Sequence, residues 1–288
     1  MGCLFAGAAI YAEEASPAAP APGNAPKVVV ELWPEGKMPA KGAKEPEAEV
    51  PAKGDGFHRV TNVSRPTLAL YPAKDRKSEA GPVVIVCPGG GYSYLVVDKE
   101  GSEIAAWLNG EGIDALVLKY RVPNNREGAL QDVQRAVSVV RAHAAEWHID
   151  PKRVGVIGFS AGGNVAAKAS TRFAERAYAA LDAVDEQSCR PDFAMLVYPA
   201  YLDDKAGHVA ADLNVKANIP PTLIVHTEDD KTFVAGSKLY SAALDEAKVT
   251  HEFLLYPTGG HGYALHCTKD AKAWPDAALA WLQKIGVR

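Results

Sequence analysis

The sequence predicts an α/β fold, a mostly parallel twisted sheet with helices on both faces and an antiparallel N-terminal edge pair. Three observations carry it. From residue 83 onward, short runs rich in Val, Ile and Leu alternate with longer stretches of helical period, the signature of strand–helix–strand units. The runs are apolar at nearly every position, as strands covered on both faces must be. One of them, RVGVIGF at 153–159, passes through the small residues of SAGG directly into a helix-like segment.

Taken in order, residues 1–26 stand apart. GCLFAGAAIYA is a short apolar stretch ending in small residues, like the tail of a secretory signal peptide whose basic start is missing, since the first basic residue is Lys27. EASPAAPAPGNAP is a Pro and Ala tether without the means to pack a core. The expectation is export, secreted or periplasmic, with one domain over residues 27–288. Within it, residues 28–32 and 60–70 read as strands forming an edge pair across a loop rich in Lys, Glu, Pro and Gly. Then come a strand at 83–86 and a helix at 100–110, a strand at 115–120 and a helix at 130–147, and the 153–159 strand with its helix at 164–172. Strands at 193–198, 222–226 and 253–256 follow, the last two leading to helices at 234–247 and 275–285. In the second helix Val133, Ala136, Val137, Val140, Ala144 and Trp147 share one face, which is core.

Composition narrows the function classes. The 288 residues are 48% hydrophobic and carry a formal net charge of −4 with signs interspersed, so no basic arm or helix face points to nucleic acid. No apolar run approaches 18 residues, which leaves no membrane span. Cys3, Cys87, Cys189 and Cys267 are scattered without metal-ligand spacing, and no cofactor or structural metal is expected.

In open sheets of this class ligands bind at the carboxyl ends of the strands, so chemistry is sought there. At one such end Gly158, Ser160 and Gly162 form G-x-S-x-G, whose small residues permit a strained turn that lifts the serine hydroxyl above the sheet. The helix that follows aims its first amides at the same place. The strand at 83–86 runs into CPGGGYSYL. Three glycines leave the amides of Gly90 and Gly91 bare to meet a substrate oxygen, whereas the Lys and Ser or Thr of a phosphate loop are absent. The strand at 222–226 ends in TEDD, where Asp229 or Asp230 can reach a neighbouring histidine or serve as a helix cap. The last strand runs into PTGGHGY, where glycines flank His261. Serine, acid and histidine follow in the chain order of the hydrolase triad. A zinc reading with His261 and His266 lacks the i, i+4 pairing of a helical metal site.

On CPGGGY, LKYRVP, ALQDVQRAVSVVRAHAAEWHIDPKRVGVIGFSAGG, VHTEDDKTF and YPTGGHGY, the chain from about residue 60 onward resembles the α/β-hydrolase esterases. It is similar in particular to bacterial acetylxylan and feruloyl-type esterases, which are related to prolyl oligopeptidase catalytic domains. The resemblance implies an α/β-hydrolase fold and a serine esterase with Ser160 as nucleophile and His261 as base. The oxyanion hole would be built from Gly90, Gly91 and Ala161. In the related peptidases the acid is the first Asp of the pair, eight residues before a serine, and Asp229 stands eight before Ser237, so Asp229 is the expected acid. Asp203 and Asp204, after the strand at 193–198, are its rivals. Pro88 replaces the His that lipase-type relatives carry before the glycines, and Thr232-Phe233 replaces the usual Val-Pro after the acid.

The expected substrates are short acyl, above all acetyl, esters on plant-type polysaccharides or their oligosaccharides, contacted by Tyr92, Tyr201 and Tyr263. Tyr94 and Tyr120 lie on loops at the same strand ends. The alternatives are a serine peptidase resembling the prolyl oligopeptidases and a general small-ester carboxylesterase. A non-catalytic binding module on the same scaffold is disfavoured by the complete set of Ser, Asp and His.

Overall fold

The computed structural model describes residues 25–51, 54–76 and 78–288; the signal-like stretch and most of the tether lie outside them. Among the described residues eleven strands follow in chain order: β1 Val28–Glu31, β2 Ala48–Glu49, β3 Arg59–Thr61, β4 Thr67–Tyr71, β5 Gly81–Cys87, β6 Leu95–Val96, β7 Asp114–Lys119, β8 Ile149–Phe159, β9 Phe193–Val197, β10 Thr222–Thr227 and β11 His251–Tyr256. The helices are α1 Glu103–Gly110, α2 Arg126–Ala142, α3 Ala144–Trp147, α4 Ala161–Thr171, α5 Val234–Glu246 and α6 Trp274–Lys284. Eight strands form one sheet in the order β1-β4-β7-β5-β8-β9-β10-β11, and β2-β3-β6 form a small second sheet. From β7 to β11 every pairing is parallel. The expected edge pair is present, with β1 antiparallel to β4 and β4 antiparallel to β7.

Alternation along β5 shows how the core is divided. Val83, Ile85 and Cys87 pack with Val133, Val137 and Val165 of α2 and α4, while Val84 and Val86 pack on the other face with Ile104 and Leu108 of α1 and Leu282 of α6. All seven residues of β5 are buried, which explains its uniformly apolar sequence.

Three elements differ from the sequence expectation. The strand expected over 60–70 is two: Asn62 adopts a left-handed φ of 58°, Pro66 removes a ladder donor, and β3 joins the small sheet while β4 joins the large one. The helix expected from residue 100 opens with a π-helical turn, Asp98–Ser102, that carries Glu100 into the interior. The helix expected over 130–147 starts earlier, at Arg126, because the Asn125 side chain caps it by accepting from Gly128 N, and it is divided at His143 into α2 and α3.

The strand order reverses at β5. The chain leaves β5 for β7 on one side and returns to β8 on the other, so the loops after β5 and β8 diverge from adjacent strand ends and leave a crevice between them.

Candidate active site

Ser160 occupies the turn between β8 and α4 with φ 52° and ψ −117°, a conformation costly for a residue with a Cβ. Small neighbours make the turn possible. A Cβ on Gly158 would stand 2.1 Å from the Gly162 carbonyl oxygen, and one on Gly162 would stand 2.0 Å from that of Cys87. The strained turn is held by hydrogen bonds from Ser160 N to Val197 O at 3.2 Å and from Ala200 N to Ser160 O at 2.9 Å.

His261 lies on the loop after β11 and reaches the serine with Nε2 at 2.8 Å from Oγ. Its Nδ1 is 2.6 Å from Oδ2 of Asp230. The expectation for Asp229 is therefore corrected: the carboxylate against the imidazole belongs to Asp230. Asp229 instead accepts backbone N–H groups of the histidine loop, from Gly259 at 3.1 Å and Gly260 at 2.8 Å, and so shapes the loop without touching the ring. The rivals are engaged elsewhere, Asp203 with Lys205 and Asp204 with His208. Burial tends to raise the Asp230 carboxyl, but hydrogen bonds from His226 and His261 outweigh it and hold the group well below the usual carboxylate range. The Asp229 carboxyl is also lowered, chiefly by the Gly260 amide.

The loop after β5 arches over the serine. Gly90 has φ 136° and Gly91 φ 65°, and a Cβ on Gly90 would fall 1.9 Å from Tyr94 O. Only glycine allows this close return of the chain. Among the described residues the amides of Gly90 and Gly91 donate to no protein acceptor, and Ala161 presents the first amide of α4 beside Ser160.

Beneath this loop lies Glu100, which sequence reasoning did not single out. Its carboxylate accepts from Gly89 N at 2.8 Å and from Tyr198 Oη at 2.9 Å, and Tyr198 Oη accepts in turn from Ala264 N at 3.0 Å. One buried carboxylate thus ties the glycine loop to the histidine loop. Burial raises the Glu100 carboxyl against these bonds.

Ser160, His261, Gly90, Gly91, Tyr94 and Tyr201 line a cavity of about 500 Å³. Of the three tyrosines expected to contact substrate, Tyr201 is at the wall, with its hydroxyl 3.8 Å from where a Cβ on Gly91 would be. Tyr92 is buried and donates to Asn164 Oδ1 at 2.7 Å, and Tyr263 is buried against Tyr198 with ring centroids 4.5 Å apart. Their bulk serves packing. Phe233 packs behind His261 and Tyr201, its ring centroid 5.0 Å from that of His261 and 5.6 Å from that of Tyr201.

His226, Asp230 and His261 bring ligand atoms within 4.8 Å of one another. Every imidazole nitrogen among them is already hydrogen-bonded, His226 to Ser237 and Asp230, His261 to Asp230 and Ser160. Both histidines are thus engaged by a serine on one side and by Asp230 on the other, and neither ring offers a free nitrogen to an ion.

The BD-FAE family model matches residues 68–197, the stretch from β4 to the end of β9. The acetyl ester-xyloside bifunctional hydrolase from Caldicellulosiruptor lactoaceticus is similar with a TM-score of 0.75 at 31% identity, covering 93% of this chain and 99% of that one. The acetylxylan esterase of Xylanibacter ruminicola is 29% identical over 213 residues, 65% of this chain and 42% of that protein. Endo-1,4-beta-xylanase B of Butyrivibrio fibrisolvens is 28% identical over 231 residues, 71% and 36% respectively. The chain spans less than half the length of these two curated relatives.

Proposed function

Because the chain belongs to the α/β-hydrolase esterases, we propose that it hydrolyses short acyl esters, chiefly acetyl esters, on xylan-type polysaccharides or oligosaccharides through a serine acyl-enzyme. The observation that carries this reading is the continuous array Ser160–His261–Asp230, at 2.8 and 2.6 Å, under a loop of unpartnered glycine amides.

Each group has one task. His261 Nε2 takes the proton as Ser160 Oγ attacks the acyl carbon, and Asp230 holds the Nδ1–H tautomer and stabilises the imidazolium. The amides of Gly90, Gly91 and Ala161 receive the oxyanion. The alcohol leaves with the proton from Nε2, and water, deprotonated by the same nitrogen, releases the acid and restores Ser160. Wall residues Tyr201 and Tyr94 offer flat faces suited to sugar rings. The relatives are named for acetyl esters and xylosides in one case and for acetylxylan in the other, which supports this substrate class. The signal-like residues at the N-terminus support action outside the cytoplasm, and no described helix is long and apolar enough to cross a membrane.

Two experiments test the reading. A serine-directed phosphonate should label Ser160, and Ser160→Ala should lower turnover by on the order of 10⁴ or more; label on another residue refutes the nucleophile. Acetyl, butyryl and octanoyl aryl esters are compared beside an acetylated xylan and a proline-containing dipeptide amide. The expected outcome is release of acetate from the xylan and a steep fall in rate with acyl length. Preference for octanoyl, or cleavage of the amide alone, overturns the substrate class.

A further inference from the structure

Asp230 serves a second histidine. His226, the penultimate residue of β10, places Nε2 2.9 Å from the same Oδ2 that contacts His261, and its Nδ1 lies 2.7 Å from Oγ of Ser237 in the first turn of α5. An ionised carboxylate only accepts, so Nε2 carries the hydrogen and Nδ1 is left as an acceptor for the Ser237 hydroxyl. The tautomer is thereby fixed. Ser237, His226 and Asp230 repeat the connectivity of Ser160, His261 and Asp230, with one acid common to both. His226 and Ser237 have no exposed surface, so no substrate reaches this second array.

We propose that His226 is a positioning residue for the reaction: held by Ser237, it donates to Asp230 and so sets how strongly that carboxylate stabilises the His261 imidazolium. The inference rests on the triad reading given above. Burial pushes the imidazole of His226 down and keeps it neutral against its bond to Asp230, so it acts as a fixed dipole and not as a second cation. The hydrogen bond that Asp230 accepts from His226 disperses charge otherwise directed at His261. Asp230 is also braced from two elements at once, strand β10 through His226 and helix α5 through Ser237. The other titratable and charged groups around His261 are Glu100 below the glycine loop, Tyr198 against the ring, Tyr263 behind Tyr198, Asp229 on the histidine-loop backbone, and Asp55, Arg59 and Lys99 across the cavity. None of them donates a hydrogen bond to Asp230.

The sign of the effect follows. Without the His226 donor, the full charge of Asp230 falls on His261, the imidazolium is favoured, and the base becomes available only at higher pH. The test measures kcat/KM against pH with a short aryl acetate for the native chain, His226→Leu, His226→Gln and Ser237→Ala. The expected result for His226→Leu is an acid limb moved up by roughly half to one pH unit, with kcat down about tenfold and KM within twofold. His226→Gln, whose amide nitrogen replaces Nε2–H, should return the limb most of the way. Ser237→Ala should move it in the same direction by less, and it reads the inference even if His226→Leu does not fold. A limb that stays in place or moves down in the folded variants overturns the proposal. Phosphonate labelling of Ser160 in the same samples separates the two readings: label present with an unmoved limb defeats only the role of His226, whereas label absent from the native chain defeats the triad itself.

Discussion

At the scale of residues, two adjacent carboxylates take different work because the chain turns between them. Asp230 points inward with its side chain 4% exposed, and Asp229 points outward with 33% exposed. Asp230→Asn is therefore expected to lower kcat by on the order of 10³–10⁴, since an amide cannot hold the productive tautomer of His261, while Asp229→Asn should stay within about tenfold. Parallel steady-state kinetics decide it, and equal losses would refute the assignment. The lowered Asp230 carboxyl also has a consequence for stability. Its folded value is below the ordinary value of about 4, so its contribution is complete above that pH and is lost as pH falls through the folded value. Acid unfolding of Asp230→Asn should accordingly lack this component, giving a shallower loss of stability below about pH 4 in urea titrations. Ser160 and His261 were legible in the sequence because glycines surround both, and glycine clusters at strand ends have few structural uses. The choice within the Asp pair was not, because one residue of rotation on a turn leaves no periodic trace. One signal did exist: His226 sits in a run that must be buried, a buried imidazole needs a partner, and Asp230 is four residues away.

At the scale of elements, the site depends on two close approaches of backbone. The Ser160 turn requires Gly162 to lie against the Cys87 carbonyl at the end of β5, so a methyl group there collides with the Cys87 and Pro88 carbonyls where β5 enters the glycine loop. Gly162→Ala should give a chain that is largely insoluble or melts well below the native one, as circular dichroism would register; a folded, fully active variant would contradict the packing. The glycine loop depends on Glu100, whose two oxygens each accept a bond. Glu100→Gln keeps the volume but turns an amide donor toward either Gly89 N or Tyr198 Oη. The expected outcome is kcat down roughly tenfold from a displaced oxyanion donor, with KM little changed and Ser160 still labelled by a phosphonate. The positions of the central strands β5, β7 and β9 were legible from their apolar runs. The division of residues 60–70 between two sheets and the π-helical turn at Asp98–Ser102 were not, since both arise from where neighbouring chain lies and not from local propensity.

At the scale of the whole molecule, the sheet order brings four loops together only if the segment before β4 and the helix α2 are fixed on one side of it. Arg121 and Asp132 do this from inside. Both side chains are fully buried and paired at 2.8 Å, and Asp132 also accepts from Trp33 Nε1 at 2.8 Å. Arg121 donates further to Pro39 O at 2.6 Å and to Gln131 Oε1 at 2.9 Å. The pair thus joins residues 33–39, the exit of β7 and α2 in one polar knot within an apolar layer. Nothing in the sequence marked it, because its partners are brought together by topology. Removing one partner of such a pair strands a buried charge at a cost of about 3–5 kcal/mol, so Asp132→Ala should lower Tm by roughly 10 °C for a domain of this size. The folded fraction should keep its kcat at 25 °C within about twofold, since neither residue lines the cavity. Replacing both partners with apolar residues, Arg121→Met together with Asp132→Leu, should recover much of the loss, because the stranded charge and not the missing attraction dominates the cost. Calorimetry on the three chains distinguishes the cases: a Tm change under about 2 °C for Asp132→Ala, or a double variant no more stable than Asp132→Ala, would show that the stranded charge at this knot does not set the cost.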